Sequence, residues 1–317
     1  MLYTCDVHGS NRCFKKLLNA ARYNVYKTEV VMVSGDLTGK AIVPVVERPD
    51  GTYEAHTRDI LGEDRIAKNQ EELKTLLEVI ANIGYYPKHM KPEEIPELRA
   101  DPKRIESLLA EAITSRIKEW LALAQERLKD KNVRLFMMPG NDDLLEVGDI
   151  INKSGFVTNP EGKVIELDKS HEMISLGYSN PTPWKTFREL PEDELAARID
   201  AMAAQLKKPE NAVFNFHVPP YDTPLDTAPV LDKNLRPTVV MGDLLRGPAG
   251  SKAVRAAIEK YQPLLGLHGH IHESGGEVRL GRTLCLNPGS EYAAGILRGY
   301  VLEITDKGLS KYARVEG

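Results

Sequence analysis

Aspartate, histidine and asparagine recur in this chain in short clusters, each directly after a short apolar run. Asp6-Val7-His8-Gly9 follows Leu2–Cys5, Gly35-Asp36 follows Val30–Val33, and Gly140-Asn141-Asp142-Asp143 follows Val133–Met138. His217 comes after Val213–Phe216, and His268-Gly269-His270-Ile271-His272 after Leu264–Leu267. Carboxylate, imidazole and amide oxygen are the ligands of hard-to-borderline divalent metals. One cation needs three or four such groups. Asp6, His8, Asp36, Asn141, His217, His270 and His272 make seven, which suits two cations sharing a carboxylate. Two metals about 3.5–4 Å apart activate a water and clamp both ends of a phosphoryl transfer. The i, i+2 spacing of Asp6/His8 and of His270/His272 suits an extended backbone, where alternate side chains face the same way. Neighbouring glycines allow close backbone approach. Taken singly, each piece is a weak signal, since a lone His after a strand is usually a hydrogen-bonded core residue. The weight lies in five of them at five strand ends.

The elements that must carry these clusters alternate strand and helix. Leu2–Cys5, a helix over Asn11–Tyr23 with Phe14, Leu17, Leu18 and Ala21 on one face, and Val30–Val33 form a right-handed βαβ unit. In open α/β sheets the ligand crevice lies at the carboxyl ends of the strands, which is where the clusters fall. Ile42–Arg48 and Thr52–Thr57 read as a hairpin around Pro49-Asp50-Gly51. Apolar residues at helical spacing predict helices over Glu63–Ile83 and from Asp101-Pro102 to about Lys131, joined by Tyr85–Ala100. This insertion at about 63–131 is expected to be a helical hairpin, packed on the side of the sheet or capping the crevice. Further strands fall at Val164–Leu167 and Met173–Leu176, helices at Glu192–Lys207 and Lys252–Tyr261, and a run of strands fills the C-terminal end from Glu277. With no repeat and no Gly/Ser/Pro-rich linker, residues 1–317 read as a single domain.

Composition narrows the partners. The 317 residues hold 42 Lys plus Arg against 46 Asp plus Glu, a net charge of −4. That near-balance lacks the basic strip that long nucleic acids require. No run approaches the ~20 apolar residues that cross a bilayer, and the N-terminus turns polar too soon for a secretory signal. Cys5, Cys13 and Cys285 are spread out with no C-x-x-C, so a reducing cytoplasm is the expected location. Oligomeric state is not readable.

As a set, Asp6-x-His8, Gly35-Asp36, Gly140-Asn141-x-Asp143, His217 and Gly269-His270-x-His272 resemble the ordered motifs of the calcineurin-like metallophosphoesterases. Asn287-Pro288-Gly289-Ser290 is similar to bacterial and archaeal members. The resemblance runs in islands from residue 1 to about 304, with the helical insertion outside it. It implies an α/β fold, a four-layer α/β-β/α sandwich of two mixed β-sheets, and a dinuclear centre. Carried over, Asp6, His8 and His272 would hold one metal, Asn141, His217 and His270 the other, and Asp36 would bridge. Mn, Fe, Zn, Ni and Co all suit such ligation. The implied reaction is attack on a phosphate ester by a metal-bound hydroxide, with Asn141 and both metals stabilising the growing oxygen charge.

One position departs from the pattern. Many members carry a His where this chain has Asp142, and a carboxylate beside two cations is expected to be ionised and a poor general acid. Diester cleavage of a small phosphate ester therefore becomes the leading expectation. A nuclease or nucleotide phosphatase of the same fold is the alternative, and a catalytically inactive protein-binding scaffold is the alternative from another class. Among other candidates, the loop Asn180–Arg188 offers Trp184 for stacking and Arg188 for a phosphate, and Tyr221 follows the His217 loop. Gly35–Lys40 fails the spacing of a phosphate loop, and Ser251 is expected to cap a helix. His268 is expected to be structural, Cys5 buried, and His56, His89 and His171 on the surface. The departure is testable: Asp142→His is expected to raise the rate most for esters with poor leaving groups. Equal effects on p-nitrophenyl and alkyl esters would contradict it.

Overall fold

Side chains along each central strand alternate between two different apolar cores, and this period of two builds the layers. In the computed structural model, which describes residues 1–317, Leu2, Val31, Val33, Leu135 and Met137 face one core. The residues between them, Tyr3, Met32 and Phe136, face a second. On the opposing sheet Met173, Val213, Leu284 and Leu286 share that second core, while Ile174, Leu176, Phe214, Phe216 and Cys285 face a third. Three cores separate four layers: helix, sheet, sheet, helix.

The first sheet runs in the order 308–316, 298–305, 2–4, 30–34, 134–138, and the second in the order 276–280, 283–287, 265–267, 213–216, 172–176, 164–166. Strands 2–4, 30–34 and 134–138 are mutually parallel, as are 172–176, 213–216, 265–267 and 283–287. The remaining strands pair antiparallel at the edges, so both sheets are mixed. Helices Asn11–Arg22, Pro102–Leu128 and Leu145–Asn152 cover the first sheet. Glu192–Ala203 and Lys252–Tyr261 cover the second. Ser10, Asp101 and Ser251 cap their helices by accepting from Cys13, Arg104 and Val254 N–H, so Ser251 has the capping role its position suggested.

The insertion differs in detail from the sequence reading. The expected helix over Glu63–Ile83 begins only at Gln70, where the Asn69 side chain accepts from Glu72 N–H. Arg65–Ala67 ahead of it is a strand, and Tyr86–Met90, expected as connection, is another. Both join the hairpin to make a four-stranded sheet in the order 65–67, 53–55, 42–47, 86–90. Val43, Val45, Tyr53 and Ala55 pack there against Leu73, Leu76 and Ile80. Tyr86–Met90 is buried only at its two ends and pairs in parallel with a strand some forty residues back, a partnership with no local periodicity to announce it. The connection also holds a short helix, Glu94–Ala100. The long helix Pro102–Leu128 lies on the side of the first sheet, with Trp120 stacked on Phe14 at 4.2 Å between ring centroids.

Phe136 lies between the sheets and is almost fully buried. Phe136→Ala is expected to cost about 3–5 kcal/mol in urea unfolding, against under about 0.5 kcal/mol for Ile105→Ala on an exposed helix face.

Candidate metal centre

All seven candidate ligands sit on loops leaving parallel strands, and backbone hydrogen bonds zip those loops together. Asp6 N–H donates to Gly35 O at 3.1 Å, His8 N–H to Asp36 O at 2.9 Å and Gly35 N–H to Met138 O at 2.8 Å. On the second sheet His217 N–H donates to Leu176 O at 2.9 Å and Gly269 N–H to His217 O at 2.8 Å. Four of the ligands have left-handed backbones: Asp6 (φ 51°), His8 (39°), Asp36 (47°) and His270 (66°). Each such conformation costs of order 1–3 kcal/mol and persists only where its surroundings enforce it. Gly35 shows the tightness: its φ is +90°, and a Cβ there would stand 1.9 Å from Nδ1 of His217.

Two groups of donor atoms converge, and Asp36 belongs to both. Asp6, His8, Asp36 and His272 form one group, and Asp36, His217 and His270 the other, with the donor atoms of each within 4.8 Å of one another. Nε2 of His8 lies 3.6 Å from Asp36 Oδ2 and 2.9 Å from Nε2 of His272. His217 Nε2 lies 3.4 Å from Asp36 Oδ1, 3.9 Å from Asp6 Oδ1 and 3.1 Å from Asn141 Oδ1. The structure thus brings all seven together.

The electrostatics call for positive charge. Burial opposes charging everywhere here. Even so, Asp36, facing His217, His8 and His270, is held well below the usual carboxylate range. Asp6 falls to about 2 because His272 and His217 outweigh its desolvation. His217, against burial, is pushed up to about 9 by Asp36 and Asp6, and Asp6 likewise raises His272. Burial holds His8 at about 3 and His270 at about 4, so these imidazoles stay neutral. Nδ1 of His8 and of His217 are buried without a hydrogen-bond partner. Two buried carboxylates that draw protons onto neighbouring imidazoles, with ring nitrogens converging at 2.9 Å, fit divalent cations.

Residues outside the seven hold them in place. Asp143 is buried and accepts from Leu37 and Thr38 N–H, Thr38 Oγ1 and Gly140 N–H at 2.6–2.9 Å, fastening the Asp36 loop to the Asn141 loop. Asn287 Nδ2 donates to Ile271 O at 3.0 Å and Ser290 Oγ to Asp6 O at 2.6 Å. From the insertion, buried Arg116 donates to Gly9 O at 2.6 Å. Asn141 Nδ2 donates to Thr186 Oγ1 at 2.8 Å, and Thr186 Oγ1 in turn donates to Glu189 at 2.6 Å. That relay turns the amide oxygen of Asn141 towards His217. Tyr292 lies against His8 with 4.7 Å between ring centroids. Nothing in the local sequence around Arg116, Thr186 or Tyr292 marks these roles, because Gly9, Asn141 and His8, which they meet, are distant in the chain.

The substrate candidates separate. Trp184 stands out of the surface, 62% exposed, on the loop that Thr186 and Glu189 anchor. Tyr221 is half-buried with the Lys252 ammonium over its ring. Arg188 does not reach outward: its guanidinium is buried, donating to Pro139 O and Gly140 O at 2.8 and 2.9 Å and to Glu161 at 2.6 Å. Through these bonds it braces the strand end that carries Asn141. Asp142 pairs with Lys40 at 2.6 Å. Burial and the charge of Asp36 push its carboxyl upward, and Lys40 pulls it back, so a lysine now stands in the balance that sequence reading assigned to metals alone. His268 is buried, its Nδ1 between Phe216 O and Val218 O. His56 and His89 are exposed. His171, expected on the surface, is buried with Nδ1 2.9 Å from Asp168, a turn contact that lets a polar ring leave water. Cys5 is buried.

Comparison with known proteins follows the fold. Two solved crystal structures cover 94% of this chain. One, at 16% identity, has a TM-score of 0.52 and is itself 93% covered. The other, TT1561 of Thermus thermophilus, at 13% identity, has a TM-score of 0.50 and is 92% covered. The likeness is one of fold. By sequence, 158 residues, 49% of the chain, are 31% identical to the uncharacterized protein MJ1162 of Methanocaldococcus jannaschii, and the match spans 64% of that protein's length. No family model matches the chain.

The relay onto Asn141 is open to test. Thr186→Val is expected to weaken Mn²⁺ binding about 10–100-fold, the range typical of residues that orient a ligand, and Thr186→Ser to restore it. Titration calorimetry reads both, with the melting temperature as a control for folding.

Proposed function

We propose that this chain is a dinuclear-metal phosphoesterase of the calcineurin-like type, acting on small phosphodiesters in a reducing cytoplasm. One observation carries the reading: the carboxylate of Asp36 belongs to two separate groups of donor atoms at once. In this reading Asp6, His8 and His272 hold one cation, Asn141, His217 and His270 the other, and Asp36 touches both. Divalent cations bound there supply Lewis acidity towards water and phosphoryl oxygens.

The chain's own groups do the rest. Asn141, its amide nitrogen held by Thr186, presents its amide oxygen to the cation beside His217. With Arg188 committed to internal acceptors, Lys40 becomes the ammonium at the mouth of the crevice for an ester oxygen, fixed there by Asp142. Its charge is felt by His8, His272 and Tyr292. Trp184 and Tyr221 offer faces for a planar leaving group. A diester places one negative charge near these carboxylates where a monoester brings two, which suits the small substrate proposed.

Bis(p-nitrophenyl) phosphate should turn over in Mn²⁺, stop with chelator, and fall at least roughly 100-fold in His217→Ala. Mn²⁺ at 100 times its Kd should stabilise the fold by about 2.7 kcal/mol. A preference for p-nitrophenyl phosphate would replace the diesterase by a phosphatase. Metal binding with no turnover of any ester would make the chain a scaffold.

A further inference from the structure

Residues 227–249 leave the body of the protein between the His217 loop and helix Lys252–Tyr261, and not one of them is buried. Stretches of this length without a core of their own are uncommon in compact domains and usually functional. This one pairs its own backbone. Residues 227–229 pair with 246–248 and 239–240 with 243–244. Val230 N–H donates to Leu245 O, Leu245 N–H to Thr238 O and Thr238 N–H to Val230 O, at 2.8–2.9 Å. Met241 and Gly242 turn the tip with φ of 54° and 93°, the left-handed pair that closes tight hairpins. The base is fastened as well: Asp226 accepts from Asp222, Thr223 and Gly250 N–H, and Ser274 Oγ donates to Thr227 O at 2.6 Å.

What this arm presents is apolar. Seven of the fifteen large apolar side chains exposed on the whole molecule lie within residues 230–245, at 38% to 102% exposure, with Val239, Val240, Met241 and Leu244 around the tip. Exposed apolar side chains concentrated in this way point to an interaction site. At roughly 50–100 Å² each, seven such side chains offer roughly 350–700 Å². With the polar rim this approaches the roughly 800 Å² that each partner contributes to a stable interface. The charges are mixed: Asp232 and Asp243 against Lys233, Arg236 and Arg246. A surface made for a basic or an acidic partner would carry one sign, whereas two-fold packing of identical arms lets the acids of one meet the bases of the other. Asp243, beside the tip, disfavours burial in lipid.

We infer that residues 230–245 are a dimerisation arm, through which two copies of this chain associate about a two-fold axis. The contact is independent of the proposed chemistry. The base of the arm rests, within one chain, on the loop following His272.

Sedimentation velocity of the full chain in Mn²⁺, between about 1 and 100 µM, should show a dimer. The combined variant Val240→Glu, Met241→Glu, Leu244→Glu should raise the dissociation constant at least about 100-fold with the far-UV circular dichroism spectrum unchanged, since no residue buried within one chain is touched. The three native cysteines are buried, so Val239→Cys, Met241→Cys and Leu244→Cys each create a lone exposed thiol. At least one should cross-link to a dimer with a bismaleimide, and Ile105→Cys should not. A wild-type monomer at 100 µM, a dimer that survives the triple glutamate variant, or no cross-link from any arm position would each overturn the inference. So would a monomer that co-sediments with phosphatidylglycerol vesicles, which would make the arm a lipid contact.

Discussion

A buried carboxylate with acidic and imidazole neighbours on both sides is the constraint around which this molecule is arranged. Asp36 and Asp6 both lie out of water, and two negative charges in a low-dielectric interior are tolerable only beside positive charge. The chain supplies part of it on His217, pushed up to about 9, and Asp6 raises His272 as well, while His8 and His270 stay neutral. Divalent cations would satisfy the same demand with more charge and no loss of donor lone pairs. The site is therefore, first of all, an electrostatic deficit.

Holding that deficit in place requires rigidity from several directions. The strained backbones of Asp6, His8, Asp36 and His270 are enforced by loops that hydrogen-bond to one another and extend the ladders of the two sheets. Asp143 joins the Asp36 and Asn141 loops, Asn287 and Ser290 join the histidine loop to the first strand, and Arg188 braces Pro139 and Gly140. Arg116 reaches in from the inserted helix to Gly9. The insertion is thus part of the support of the site, although it lies outside the motifs.

Much of this is legible in the sequence, for definite reasons. Short apolar strands, helices with a single apolar face and caps such as Asp101 and Ser251 are local features, so they can be read from local residues. The ligand clusters are visible because each follows a strand directly. Arg188, offered by the sequence for a phosphate, lies buried against Glu161, because an exposed and a buried Arg in a polar, proline-rich loop look alike until Glu161 is seen beside it. His171 is misplaced on the surface for a similar reason: only the turn with Asp168 removes its ring from solvent.

By itself the sequence determined the donor types and their position after strands, because these follow from spacing along one backbone, whereas the two facing sheets were implied only by the family resemblance. Tertiary structure alone decided that Asp36 faces both His8 and His217, that Thr186 sets the amide of Asn141, and that Lys40 meets Asp142. It also paired Tyr86–Met90 with Ile42–Glu47 and left the arm at 230–245 without a core. Each of these depends on which distant segments come within a few ångströms, and that is settled by the packing of the whole chain.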